Sequence, residues 1–226
     1  MKSIYGEGAL SLLPLENGFL IVTKEDENTD MISVGYKLVD FSNYTMSPVP
    51  KSIYQQAKFG ENYKAFELQV GNYVTCKTVV LPNGNVFSVN TDGEAKVMDS
   101  NGYVEWQGTI KYNDRAPADI ALHNNNIWAS YPHSNALLRF NLRTMREELR
   151  VGGSKNDSAF DKPEGLWVNE ETEKLLICNA GNNKILELDI KNYTVYEYAE
   201  FDEPVHEYIN IKSNEMVLLN SGVYKL

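Results

Sequence analysis

FDKPEGLWVNEETEKLLICNAGNNKILELD, residues Phe160–Asp189, is a succession of short apolar runs separated by polar turns. Leu166, Trp167 and Val168 form an apolar run, followed by the polar turn from Asn169 to Lys174. Leu175 to Cys178 is a second run, and Asn179-Ala180-Gly181-Asn182-Asn183 a second turn. Ile185, Leu186 and Leu188 make a third run around Glu187. Runs this short, bounded by Asn and Gly clusters, are strands rather than helices. Pro163 donates no backbone hydrogen bond, which suits a strand entry. A fourth run, Tyr193 to Tyr198, alternates β-branched or aromatic residues with polar ones, as an outer, half-solvated strand does. The unit is a four-stranded meander.

Copies of the unit recur on either side. Cys76, Pro117, Pro163 and Pro204 occupy the same place ahead of the first strand, at spacings of 41, 46 and 41 residues. The longer interval holds a polar insertion, Ser154 to Asp161. The second strands align as 86–90, 127–131, 175–179 and 216–220. The first copy is less regular: 9–13, 19–23 and 33–41 are its strands, and its 39–45 segment (VDFSNYT) parallels 188–194 (LDIKNYT). The last copy supplies three strands, 205–211, 216–219 and 223–226, and residues 2–5 supply the missing one. Radial repetition closed in this way leaves few exposed edges. A period near 40 residues is that of a propeller blade.

The expected architecture is therefore an all-β, five-bladed β-propeller forming one domain over residues 1–226. Its blades are 9–50, 74–112, 117–152, 164–200, and 205–226 with 1–6. Two alternatives stand beside it: an open sandwich of similar strands, and six blades if the segment 51–72, which fits no repeat, belongs to another sheet. That segment reads as a short helix plus a strand, or as an added hairpin.

With 21 basic and 31 acidic residues the net charge is -10, which repels a phosphate backbone and argues against nucleic-acid binding. The acidic run 24–30 reads as an exposed loop. Cys76 and Cys178 read as buried free thiols in or beside strands of different repeats. The first residues make a poor signal peptide, and no segment approaches the length of a membrane span. The expectation is a cytoplasmic, monomeric protein that does not bind membranes, so the Asn-x-Ser/Thr triplets at Asn43, Asn156 and Asn192 carry no glycan. Ser/His/Asp triads, Gly-rich phosphate loops and Cys/His metal spacings are absent from the sequence.

In a propeller the inner strands start, and the second strands end, at one mouth of the central channel. Strand starts bring Lys77, Asp119, Glu164 and His206 there; strand ends bring Thr23, Asn90, Tyr131, Asn179 and Asn220; a loop adds His133. The candidate ligand-binding set is Lys77, Asn90, Asp119, Tyr131, His133, Glu164, Asn179, His206 and Asn220, the default position for a ligand in this architecture. Such residues also serve simply as turn formers and as partners of channel water.

Phe160-x-x-Pro163-x-Gly165-Leu166-x-Val168, with the Asn179–Ile185 turn and Leu188-Asp189, resembles the NHL repeat, and 117–139 looks like a second copy. Both are also similar to blades of streptogramin lyase and gluconolactonase-like propellers. Asn179 stands where the repeat usually has Asp. The gluconolactonase resemblance implies a divalent cation, Ca²⁺ or Mg²⁺, which would draw oxygen ligands from Glu164, Asn179, Asp119 and Asn220. The lyase resemblance implies an acid and base among His133, His206 and Glu164. The lactonase-like ligand set is not reproduced in spacing and five blades are one short of that family's propeller, while the lyase propeller has seven; the expected function is a non-catalytic binding or interaction module for a protein, peptide or small polar ligand. The alternative is a cation-dependent hydrolase or lyase.

Overall fold

The computed structural model describes residues 1–25, 33–61, 63–70, 76–153 and 158–226, with backbone alone over 67–70. Most of the acidic run 24–30 and half of the insertion 154–161 therefore lie outside the described residues. Strand β1 (Lys2–Tyr5) is followed by blade 1, made of β2 (Ala9–Leu15), β3 (Gly18–Lys24), β4 (Val34–Asp40) and β5 (Met46–Pro48). Two helices come next, α1 (Lys51–Phe59) and α2 (Tyr63–Val70). Blade 2 is β6 (Lys77–Val80), β7 (Val86–Val89), β8 (Glu94–Met98) and β9 (Val104–Thr109). Blade 3 is β10 (Asp119–His123), β11 (Asn126–Tyr131), β12 (Ala136–Asn141) and β13 (Arg146–Gly152). Blade 4 is β14 (Pro163–Asn169), β15 (Lys174–Asn179), β16 (Lys184–Asp189) and β17 (Val195–Glu200). Blade 5 is β18 (Val205–Ile211), β19 (Asn214–Leu219) and β20 (Gly222–Lys225), with β1 as its outer strand. Every sheet is an antiparallel meander, and β1 pairs with β20 through Lys2 opposite Lys225 and Ser3 opposite Tyr224. The five-bladed propeller closed by residues 2–5 is the fold of this chain.

Each blade repeats the same local chemistry. At the end of its third strand a short polar side chain turns the backbone: Asp40, Asp99, Asn141 and Asp189 each accept a hydrogen bond from the N–H two residues on. Between the second and third strands of blades 3 and 4 sits a single 3₁₀ turn, Pro132–Ser134 and Ala180–Asn182, closed by Asn135 at φ 49° and Asn183 at φ 59°. Asn tolerates this left-handed conformation better than most residues, which accounts for the Asn-rich turn in both copies.

The blades pack face to face through separate apolar layers. Blades 2 and 3 share Phe87, Val89, Ile127 and Leu138, while blades 3 and 4 share Trp128, Leu137, Leu175 and Ile177. Blades 4 and 5 share Cys178, Ile185, Val205 and Val217, and blades 5 and 1 share Met216, Leu218, Phe19 and Ile21. Each such side chain, fully buried, contributes roughly 1.5–3 kcal/mol. Gly165 permits the tightest approach between inner strands. A Cβ there would stand 2.5 Å from the His206 carbonyl oxygen and 3.0 Å from Glu207 Cα.

The junction between blades 1 and 2 is different. Segment 51–70 is neither sheet nor hairpin but two helices, so the sixth blade does not exist. α1 touches both β2 and β6. On one side Tyr54 stacks on Tyr36 (centroids 4.7 Å apart) and packs with Leu20 and Val22 of blade 1. On the other, Phe59 and Phe66 pack against Cys76, Val86 and Met98 of blade 2. The helices are a wedge set between blades 1 and 2. α1 starts after Pro50, and stops at Gly60, whose φ of 80° suits glycine and whose N–H donates to the Gln56 carbonyl at 2.8 Å.

Candidate functional site

The five inner strands β2, β6, β10, β14 and β18 surround a central channel. At the face where they start, polar side chains from different blades meet. Lys77 Nζ lies 3.7 Å from Asp119 Oδ1 and 3.4 Å from Glu207 Oε1. Glu207 also accepts from Ser11 Oγ at 3.0 Å and from the Leu12 N–H at 2.6 Å. Asp119 accepts from the Leu166 N–H at 2.8 Å, and Ser130 Oγ donates to the Glu164 carbonyl at 2.5 Å. Every one of these bonds crosses from one blade to another. Together they form a polar belt, with Lys77 linking blade 2 to blades 3 and 5. Burial draws the Lys77 ammonium down, but Asp119 and Glu207 more than offset that, and it is held above the ordinary lysine range.

Outside the belt lies a mouth cavity of about 320 Å³, lined by Lys77, Asp119, Glu164, His206, Glu207 and Asn220 among others. His206 is its centre. Nδ1 is 2.7 Å from Glu164 Oε2 and Nε2 is 2.7 Å from Asn220 Oδ1. Both ring nitrogens thus face oxygen acceptors, the arrangement of an imidazolium. The Glu164 hydrogen bond, opposed by burial and helped by Asn220, raises the His206 pKa above its ordinary 6.5. A raised folded-state value means that the pair stabilises the fold fully below about pH 6.5 and loses that contribution as pH rises through the raised value. With both side chains about a third exposed, solvent limits the effect to a few tenths to about 1 kcal/mol. His206→Gln should therefore lower the urea midpoint relative to the wild type at pH 5.5 and lower it less at pH 8.5. Equal differences at the two pH values would contradict the imidazolium assignment.

Of the nine residues expected at the mouth, Lys77, Asp119, Glu164, His206 and Asn220 converge there. The others are elsewhere. Tyr131 is fully buried and donates its hydroxyl to the Ile110 carbonyl at 2.5 Å; burial raises its pKa. Asn179 is fully buried too, accepting from the Asp161 N–H at 2.8 Å and donating to Asn182. It ties the incoming loop of blade 4 to the end of β15. Asn90 organises the β7–β8 turn by accepting from the Asp92 and Glu94 N–H groups at 3.0 and 2.9 Å. His133 is exposed on the 3₁₀ turn of blade 3. Thr23 is buried in β3.

Glu207, Ser11 and Ser130 belong to the belt but were not among the expected residues. For Ser11 and Glu207 the cause is local: β2 and β18 each carry a bulge at their start, at Ala9/Ser11 and Val205/Glu207, while Ser130 stands one place before the end of the regular strand β11. A bulge inserts a residue and changes which side chain faces the channel. The charge of Glu207, set between Val205 and Tyr208 in an inner strand, was the available signal.

The oxygen donors implied for a divalent cation do not fit one. Asn179 is buried among its own loop partners, Asp119 is engaged by Leu166 and Lys77, and Glu164 and Asn220 both hold His206. Among the described residues no three His, Cys, Asp or Glu side chains assemble into a metal-binding group. Among these residues, too, no helix is long and apolar enough to cross a membrane.

No family model and no curated protein matches the chain. Solved structures do. The virginiamycin B lyase of Staphylococcus aureus superposes over 97% of this chain and 84% of its own, with a TM-score of 0.59 and 11% identity. A streptogramin B lyase structure covers 97% of this chain and 93% of its own, with a TM-score of 0.58 and 12% identity. A protein of unknown function from Bacteroides caccae covers 93% and 70%, with a TM-score of 0.54 and 9% identity. At such identities the likeness is one of fold.

Proposed function

We propose that this propeller is a binding module for a small polar ligand, held at the channel mouth by His206, Glu164, Asn220 and Lys77. The observation that carries this reading is the mouth cavity itself, where a partly exposed carboxylate–imidazole–amide chain opens onto solvent. Its volume of about 320 Å³ stands at the lower end for ligand sites, which favours a small ligand over a folded partner. Asp119 and Glu207 are occupied by the belt, so they position Lys77 and do not meet the ligand themselves.

A thermal-shift panel of monosaccharides, nucleosides, amino acids and quinupristin tests this. At a hundredfold excess over Kd a bound compound stabilises by about 2.7 kcal/mol, a rise of roughly 5–10 °C for a chain of this size. The variant Glu164→Gln/His206→Ala should keep the wild-type circular dichroism and lose the shift. If it keeps the shift with the same compound, the mouth is not the site.

A lyase is the second reading. It is favoured by the Glu164–His206 pair, which has the makings of a proton-transfer couple, and by the fold likeness to a virginiamycin B lyase whose structure was solved with quinupristin. Incubating the protein with quinupristin and following the mass and chromatographic mobility of the antibiotic separates the two: binding with unchanged antibiotic leaves only the first.

A further inference from the structure

The helical wedge between blades 1 and 2 also brings a chemical group to the channel. Beyond the belt is a second channel cavity of about 330 Å³, lined by Asp119, Glu207 and Lys77 and also by Pro14, Val168 and Glu170. Tyr54 and Lys58, one turn apart on α1, line its wall. Lys58 lies in the last turn of α1, and only 9% of its surface reaches solvent. Its Nζ donates to the Cys76 carbonyl at 2.6 Å and to Tyr54 Oη at 3.3 Å.

We propose that Lys58 is the covalent anchor of a second site in this cavity, where its amine condenses with a small aldehyde or ketone. This stands independently of the reading of the mouth. Position and burial support it. A strongly hydrated ammonium loses most of its water here, and this desolvation, opposed by attraction to Cys76, Glu207 and Asp119 and reinforced by Lys77, lowers the Lys58 pKa to about 8. Near neutral pH a useful share of the side chain is then free amine, the form that attacks carbonyl carbon. Exposed lysines, near 10.5, hold almost none.

The step balances simply. The Nζ lone pair forms a bond to the carbonyl carbon while the carbonyl π pair moves to oxygen; the oxygen takes up a proton and the nitrogen, now cationic, releases one. The resulting carbinolamine loses its hydroxyl as water, with a second proton, as the nitrogen lone pair forms the C=N bond. Net, one amine and one carbonyl give one imine and one water. The Tyr54 hydroxyl, 3.3 Å from the nitrogen, is placed to deliver the proton to the departing oxygen. Asp119 and Glu207, which face the Lys58 cation electrostatically, favour the cationic iminium that forms. The cavity also presents apolar walls from Leu12, Ile120, Leu166 and Ile209, so the carbonyl compound would carry a short hydrocarbon portion.

Propanal with sodium cyanoborohydride is the direct probe, because reduction fixes each imine as a secondary amine readable by peptide mass mapping. In short reactions at pH 7, Lys58 should be propylated at least about tenfold faster than the exposed Lys191 and Lys212, in proportion to its larger free-amine fraction. Its labelling rate should level off above pH 8, while that of Lys191 keeps rising. Lys58→Arg, which keeps a donor but does not condense, should lose this fast label and no other. His206→Ala should leave it unchanged, so failure here and failure of the mouth reading are separable. Labelling of Lys58 in the wild type no faster than that of Lys191 overturns the proposal, whether or not the arginine variant folds.

Discussion

Phe59→Ala will destabilise the fold by about 3–5 kcal/mol, a loss of the size that follows when a large aromatic is removed from a packed interior. Phe59 is 3% exposed, and its ring stacks on Phe66 with centroids 6.1 Å apart. The two rings close the gap between the wedge and Cys76, Val86 and Met98 of blade 2. In other junctions two sheets press flat against each other and neighbouring strands can share the strain of a missing side chain. Here a nine-residue helix presents one face to each blade, so a hole on one face has no second layer to collapse into it. Urea unfolding measures the loss, and the thermal midpoint should fall by roughly 6–20 °C. Ile53→Ala, on the exposed side of the same helix, serves as the control and should change stability by no more than about 0.5 kcal/mol. A loss under about 1 kcal/mol for Phe59→Ala would mean that the wedge is docked on the ring rather than part of its closure.

Lys77→Met comes next in size. It deletes the cation shared by Asp119 and Glu207 and leaves two carboxylates from different blades facing each other across the channel. Breaking a fully buried pair costs about 3–5 kcal/mol. The carboxylate side chains retain 19% and 17% of their exposure and Lys77 retains 32%, so solvent reduces the figure to about 2–4 kcal/mol. Adding Glu207→Gln should recover part of the loss, because one of the two facing charges is gone while an acceptor for Ser11 and Leu12 remains. An unfolding midpoint for Lys77→Met indistinguishable from wild type would show that the belt is a consequence of ring closure and not one of its causes.

The repeat was legible because each blade is built from the same local devices. Short apolar runs, Asx turns at Asp40, Asn141 and Asp189, and Asn in the left-handed region at positions 135 and 183 are all properties of a few adjacent residues. The wedge was legible in part. A short helix was one of the two readings of its first half, as α1 is, but the eight residues of α2, Tyr63–Val70, read as a strand or a hairpin arm because so short a run shows little helical period. The site was legible in part. Taking the residue at each strand start reached Lys77, Asp119, Glu164 and His206. It did not reach Glu207, which follows His206 at the bulge in β18. Asn179 and Tyr131 were misplaced for a different reason. These two strand ends lie inside the layer between blades, where the polar tip bonds a loop carbonyl or amide, whereas Asn220, at the same place in blade 5, reaches the mouth.

The belt also bears on how fast the ring can form. Four of its five junctions join segments that follow one another along the chain, and each can dock as soon as its neighbour exists. The fifth joins Ser11 and Leu12 to Glu207, partners separated by 196 and 195 residues. A contact at that separation carries the entropy of closing nearly the whole chain into a loop, and nothing rewards it until it is made. Glu207, gripping the hydroxyl and amide of blade 1 while it holds Lys77 of blade 2, therefore joins the β1–β20 pairing as a place where the two ends of the chain are tied together.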